Sequence, residues 1–213
     1  LTEEGHDALI AAFPDILEPL HAARTDALLW RWRTDEAKRM APLLDDRQSA
    51  LLAARVALIR KTGSVDAALK DVPVALRETP GLIYDRYNYL AGQGNRTEAV
   101  ALILSQSQSA AMLGEPFRWS GWRRALARWA MREGRIDQAY ELATRHFLAD
   151  GAAFADLEWL AGYLSLTYLD DPAQALVHFD AARSAVDSPI SVGRMEYWRG
   201  RTFEALGQDA TDA

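Results

Sequence analysis

The sequence predicts an all-α fold: a superhelix (α-solenoid) of antiparallel helix hairpins with no β-sheet. Three observations carry this. Ala and Leu dominate while Val-Ile-Thr runs are scarce, which favours helix over strand. Apolar residues recur at helical spacing. Leu157, Leu160, Ala161, Leu164 and Tyr168 make one stripe, and Ala175, Phe179, Ala182 and Val186 a second. The pattern also repeats: Glu158-x-x-x-Gly162 returns 38 residues later as Glu196-x-x-x-Gly200, a period in the range of helical-repeat proteins.

Taken in order, Thr2 to Phe13 reads as a short helix stopped by Pro14, and Asp15 to Trp32 as one helix with Pro19 in its first turn. Thr34-Asp35-Glu36 opens another, interrupted near Pro42. Asp45-Asp46 caps an amphipathic helix carrying Ala50, Leu51, Ala54, Leu58 and Ile59 and stopping at Gly63. Asp66 to Val72 is a short helix ended by Pro73, and Thr79-Pro80-Gly81 reads as a turn. Leu82 to Leu90 is helical up to Gly92-Gln93-Gly94. Thr97 begins the next helix, with Ala99, Leu102 and Ile103 inward. Ser105 to Pro116 is polar and Gly-containing and reads as an irregular connection. Trp119 to Arg132 and Ile136 to Phe147 pair around Gly134. Asp170-Asp171-Pro172 caps and starts a further helix, with Pro172 in the first turn, where its missing N–H costs nothing.

A punctuation runs through these elements. Gly63 precedes Ala68, Gly94 precedes Ala99 and Gly134 precedes Ala139. Asp170 stands in for the glycine before Ala175, and Gly207 leads to Ala213. The physical reading is a residue that tolerates the left-handed conformation, then a helix whose early Ala lets two backbones approach. The Ala-to-Ala steps are 31, 40, 36 and 38 residues, near the ~34-residue tetratricopeptide period but irregular. The expectation is a single superhelical domain over 1–213, with irregular hairpins over 1–113 and more regular repeats over 115–213. A chain ending where a second helix is due suggests a native protein that continues.

The net charge of −6 and pI near 5.3 argue against a general nucleic-acid binder, which needs a basic face. Local basic stretches remain at Arg31-Trp32-Arg33 and Trp122-Arg123-Arg124. With no cysteine, disulfides, thiolate metal sites and Cys nucleophiles are excluded. No run approaches the ~18 apolar residues of a membrane span, so no transmembrane segment is expected. A start at Leu1 suggests a processed or cut product, which a secretory signal could have preceded.

Several blocks carry a family resemblance. They are Asp71-Val72-Pro73, Pro80-Gly81-Leu82-Ile83-Tyr84-Asp85-Arg86, Ala139-Tyr140-Glu141-Leu142-Ala143 and Phe154-Ala155-Asp156-Leu157-Glu158-Trp159-Leu160-Ala161-Gly162. The most specific is Pro189-Ile190-Ser191-x-x-Arg194-x-x-Tyr197-Trp198-x-Gly200-Arg201, followed by Glu204-Ala205-Leu206-Gly207. From about Asp45 onward the chain resembles the superhelical domain of soluble lytic murein transglycosylases. The resemblance implies a periplasmic location and, as partners, peptidoglycan glycan strands and the protein's own C-terminal, lysozyme-like catalytic domain. That domain cleaves the glycan to a 1,6-anhydro end, with one glutamate as acid and then base. The family carries this glutamate in a Glu-Ser pair followed by Gly-Leu-Met-Gln. Neither motif occurs here: no Glu precedes a Ser, and the only Gly-Leu, Gly81-Leu82, is followed by Ile83. The chain thus looks like the scaffold without its catalytic domain. A free-standing tetratricopeptide-like module binding a protein partner is the alternative.

No catalytic, cofactor-binding or metal residue is assigned, no cofactor is expected, and the substrate-contacting residues stay open. Trp122, Trp159 and Trp198, spaced 37 and 39 apart, could form a glycan track, but a repeat-period spacing is that of packing rings. Glu158 and Glu196 could be paired acids, but as equivalent positions of adjacent repeats they should stand a helix-packing distance of ~10 Å or more apart. His6, His21, His146 and His178 show no metal spacing and read as surface or partly buried residues. Gly92-x-Gly94 lacks the preceding strand of a dinucleotide loop. Arg194 and Arg201 share a helix face and are expected to form salt bridges to the previous repeat, with carboxylates of peptide stems as the functional reading.

Overall fold

A computed structural model of the chain describes residues 2–208. It is 78% helical with no strand among the described residues, against roughly 30–35% helix in an average soluble domain. The helices are α1 (Glu3–Ala12), α2 (Pro14–Leu17), α3 (His21–Trp30), α4 (Thr34–Arg39), α5 (Asp46–Arg60), α6 (Val65–Asp71) and α7 (Pro80–Gly92). They continue with α8 (Arg96–Gln106), α9 (Ala110–Leu113), α10 (Pro116–Arg132), α11 (Ile136–Thr144), α12 (Gly151–Thr167), α13 (Pro172–Ser184) and α14 (Pro189–Ala205). Among the described residues no helix is long and apolar enough to cross a membrane. The chain forms two compact units, Leu1–Gln93 and Gly94–Ala213.

The caps follow side-chain chemistry. Asp45 Oδ1 accepts from the Gln48 N–H at 2.7 Å at the start of α5, and Asp171 Oδ1 accepts from Gln174 N–H at 2.9 Å at the start of α13. Gly63, Gly94, Gly134 and Gly207 all have positive φ, and Asp170 takes the same region at φ 53°. The punctuation therefore marks left-handed turns, including the one without glycine. Ala99, Ala139 and Ala175 are fully buried, as close approach requires, whereas Ala68 is only half-buried. Ala213 lies outside the described residues.

Three local expectations are corrected. Asp15–Trp32 is not one helix: α2 ends at Leu17, Glu18–Leu20 tightens into a 3-10 turn, and α3 follows. Pro19 has no N–H to donate, and its ring disfavours a continuous ladder. Pro80 and Gly81 are not a turn but the first turn of α7, where proline's fixed φ suits a helix start. Within 105–116, Ser109 Oγ accepts from the Met112 N–H at 3.2 Å and nucleates α9, which Gly114 at φ +70° ends.

In the first unit α5 is central. Leu52 and Val56 pack against Leu29 and Ala37, while Ala54 and Leu58 pack against Val72 and Leu82. Arg55 is buried in their midst. Its Nε donates to Asp85 Oδ2 at 2.6 Å, it pairs with Asp26, and its guanidinium lies 5.7 Å from the Trp30 ring. A Cβ on Gly81 would fall inside that guanidinium, so glycine there makes the room. Burial pushes the Asp85 carboxyl up to about 7, against the opposing pull of Arg55. Asp85 Oδ1 and one Arg55 terminal nitrogen lack partners, so the pair is incompletely compensated.

In the second unit each helix from α10 to α14 packs on the next, and α12 on α13 is the tightest contact. Arg123, also buried, ties α10 to its neighbours by donating to Ser107 Oγ at 2.5 Å and to the Leu142 carbonyl at 3.2 Å. Gly162 faces Phe179: an added Cβ would stand 2.8 Å from the ring, whereas a Cβ on Gly200 would meet nothing within 4 Å among the described residues. Gly162→Ala is therefore expected to destabilise the protein by about 1–3 kcal/mol, the usual range for overpacking. Gly200→Ala should be neutral or stabilising by about 0.5–1 kcal/mol. Urea midpoints at constant m-value check this contrast, and equal losses at both sites would refute the close approach.

Candidate functional site

Two histidines of the second unit converge on Glu158, at the middle of α12 and nearly inaccessible. His146 Nδ1 accepts from the Leu148 N–H at 2.9 Å, so its proton is on Nε2, which donates to Glu158 Oε1 at 2.9 Å. His178 Nδ1 donates to Glu158 Oε2 at 2.7 Å. Its Nε2 then accepts, facing the Tyr140 hydroxyl at 3.0 Å and the Gln174 amide nitrogen at 3.1 Å. Burial pushes the Glu158 carboxyl up, but the two imidazole donors together outweigh it and hold the pKa at about 2. Burial raises the Tyr140 phenol.

Glu196 is held differently. Its two oxygens accept from Arg183 Nε at 2.5 Å and Arg199 Nη1 at 2.6 Å, and these bonds lower its pKa. Arg199 also pairs with Asp180 at 2.7 Å. A general acid for glycoside cleavage needs a raised pKa. Both glutamates are instead held ionised by their partners, and neither is placed as an acid. The Tyr140–His178–Glu158 chain has the outline of a nucleophile–base–orienter set. Burial, however, raises the Tyr140 phenol and so disfavours its ionised form.

Beside this cluster lies an aromatic one. Trp159 stacks on Tyr163 at 5.6 Å, Tyr163 meets Trp198 edge-on at 5.2 Å, and Trp198 stacks on Phe179 at 5.9 Å. Trp159 and Trp198 therefore pack between helices, as their spacing suggests. Trp122 does not follow them and is 38% exposed. A cleft of about 470 Å³ opens against these rings, lined by Tyr163, Leu166 and Thr167 of α12 and by Tyr197, Trp198, Arg201 and Ala205 of α14.

The remaining candidates disperse. His146 and His178 come together only through Glu158. His6 and His21 lie in the first unit, where His6 contacts Arg24 at 3.0 Å and its pKa is lowered by burial and then by Arg24. Among the described residues no group of three or more His, Asp or Glu is placed to hold a metal ion. The basic stretch at Trp122-Arg123-Arg124 is not a surface patch, since Arg123 is buried and Arg124 faces Asp156 at 3.6 Å. Arg194 and Arg201 do not form the expected salt bridges to the previous repeat. Arg199 and Arg183 make the links between α13 and α14, while Arg194 lies over the Trp159 ring at 4.9 Å and Arg201 pairs, among the described residues, with Glu204 of its own helix at 3.4 Å. At ~100° per residue Arg199 sits on nearly the opposite face of α14 from Arg194 and Arg201, so the i, i+7 spacing did not select the face that Asp180 of α13 reaches.

The chain matches no protein family model, no curated protein and no solved structure.

The Glu158 clamp sets a pH dependence. Its pKa is depressed from 4.5 to about 2, so its contribution to stability is complete above about pH 4.5 and is lost as pH falls toward 2. At 1.36 kcal/mol per pKa unit the contribution is on the order of 3 kcal/mol. Glu158→Gln should lower stability at neutral pH and flatten the acid limb between pH 4.5 and 2. Equilibrium unfolding across that range measures both effects, and an unchanged acid limb would show that the clamp does not exist in solution.

Proposed function

We propose that this chain is the non-catalytic superhelical scaffold of a periplasmic lytic transglycosylase, guiding peptidoglycan strands to a catalytic domain carried elsewhere in the parent protein. The observation that carries the reading is the block Pro189-Ile190-Ser191-x-x-Arg194-x-x-Tyr197-Trp198-x-Gly200-Arg201, which in this chain forms α14. The consecutive packing of α10 to α14 supports a tetratricopeptide-like stack. Two further features favour a scaffold over an enzyme: the sequence has neither a Glu-Ser pair nor Gly-Leu-Met-Gln, and Glu158 and Glu196 are both held as carboxylates by donors.

The test is direct. Incubated with peptidoglycan sacculi, the chain should be retained in the pellet and release no 1,6-anhydromuropeptides. The parent protein with its catalytic domain should release them, and Glu158→Gln and Glu196→Gln in that protein should leave the chemical step nearly intact. Loss of a general acid, by contrast, would cost ~10²–10⁴-fold. Turnover by the chain alone that vanishes in either variant would overturn the reading, as would failure to be retained.

A further inference from the structure

We propose that the cleft between the C-terminal halves of α12 and α14 is a binding site for a saccharide that carries a carboxylate. Its volume of about 470 Å³ lies within the ~300–1,000 Å³ of small-molecule sites. Three of its lining side chains are aromatic: Tyr163, Tyr197 and Trp198. The apolar C–H faces of a sugar ring stack on such surfaces, while its hydroxyls remain free for polar partners. The platform is rigid before anything binds. Trp198 is fixed by Phe179 behind it and by Tyr163 at its edge, and Tyr197 meets Trp198 edge-on at 5.5 Å. Rings already held in place lose little entropy on binding.

The acid group is argued from Arg201. The arginines on this side of the unit fall into two kinds. Arg183 and Arg199 both pair with Glu196, and Arg199 also with Asp180. Arg201 lines the cleft, has a side chain 57% exposed, and among the described residues pairs with Glu204 alone, at 3.4 Å. A guanidinium fork with spare donors beside an aromatic platform suits a carboxylate. Thr167 adds a hydroxyl for a sugar hydroxyl. Thr167 and Ala205 are the last residues of their helices, so the cleft opens at two helix C-termini. Their negative ends favour hydrogen-bond donors, such as hydroxyls and an acetamido N–H, and disfavour a doubly charged phosphate. They oppose a carboxylate as well, so an acid group here depends on Arg201 to hold it.

The inference deepens the scaffold reading and rests on it for the choice of probe. N-acetylmuramic acid and N-acetylglucosamine share the acetamido sugar ring but only the former carries an acid, so together they isolate the role of Arg201. Titrated into the labelled chain and followed by NMR, N-acetylmuramic acid should shift the Trp198 indole and the Tyr163 and Tyr197 ring signals saturably, and bind at least fivefold tighter than N-acetylglucosamine. Tyr197→Ala and Arg201→Gln, both at exposed positions, should leave the melting temperature unchanged and weaken binding about tenfold each. Arg201→Gln should also erase the preference for the acid. No saturable shift at the cleft, or both variants binding like the parent chain, overturns the site. If sacculi are retained while the cleft stays silent, only the cleft falls. If the cleft binds the acid sugar while sacculi are not retained, the cleft stands and the scaffold reading falls.

Discussion

The second unit depends on one buried carboxylate. Glu158 sits mid-way along α12 and accepts from His146, just beyond α11, and from His178, within α13. One charge thus fastens three consecutive helices. Removing either imidazole would leave a buried carboxylate short of a donor, which costs more than the bond itself contributes. The second shell is arranged accordingly. The Leu148 N–H fixes the tautomer of His146, and Tyr140 and Gln174 face the far nitrogen of His178. Such a network specifies which helix faces meet, as apolar Ala-on-Ala contacts alone do not.

The first unit meets a similar need with opposite charge placement. There the buried hub is a cation, Arg55, and its acids Asp85 and Asp26 come from α7 and α3. Both units make room for a bulky group with a glycine on the facing helix: Gly81 beneath Arg55, and Gly162 beneath Phe179. Gly81 lies in the first turn of α7, whereas Gly162 lies inside α12, where glycine costs about 0.5–1 kcal/mol relative to Ala. The close approach of the aromatic ring is what offsets that cost. Gly200, at the equivalent place in α14, faces nothing among the described residues.

Much of the helix layout was legible because it is local. Period-3.6 striping, Asp caps and left-handed turn residues act within a few positions, and even Asp170 could be read as a glycine substitute. Local reading failed where proline had two outcomes, breaking the ladder at Pro19 and starting a helix at Pro80. The clamp was hidden for a different reason. His146 and His178 lie 12 and 20 residues from Glu158, and no motif spacing encodes a partner that only helix packing brings near. The same holds for Arg123, which reads as part of a basic surface stretch and is a buried tie between helices. The aromatic cleft lay between: Trp159 and Trp198 were singled out by their period and Arg201 as a partner for carboxylates, while Tyr163 and Tyr197 gain meaning only once α12 and α14 are side by side.

The account turns on Glu158 being a structural anion and not an acid in waiting. Following the side-chain carboxyl carbon of Glu158 by NMR through an acid titration measures this directly. The arrangement of two imidazole donors predicts a midpoint near 2, with the carboxylate ionised throughout the range in which the protein is folded. A midpoint above the ordinary glutamate value of 4.5 would mean that burial outweighs the histidines, and would return Glu158 to the list of candidate general acids.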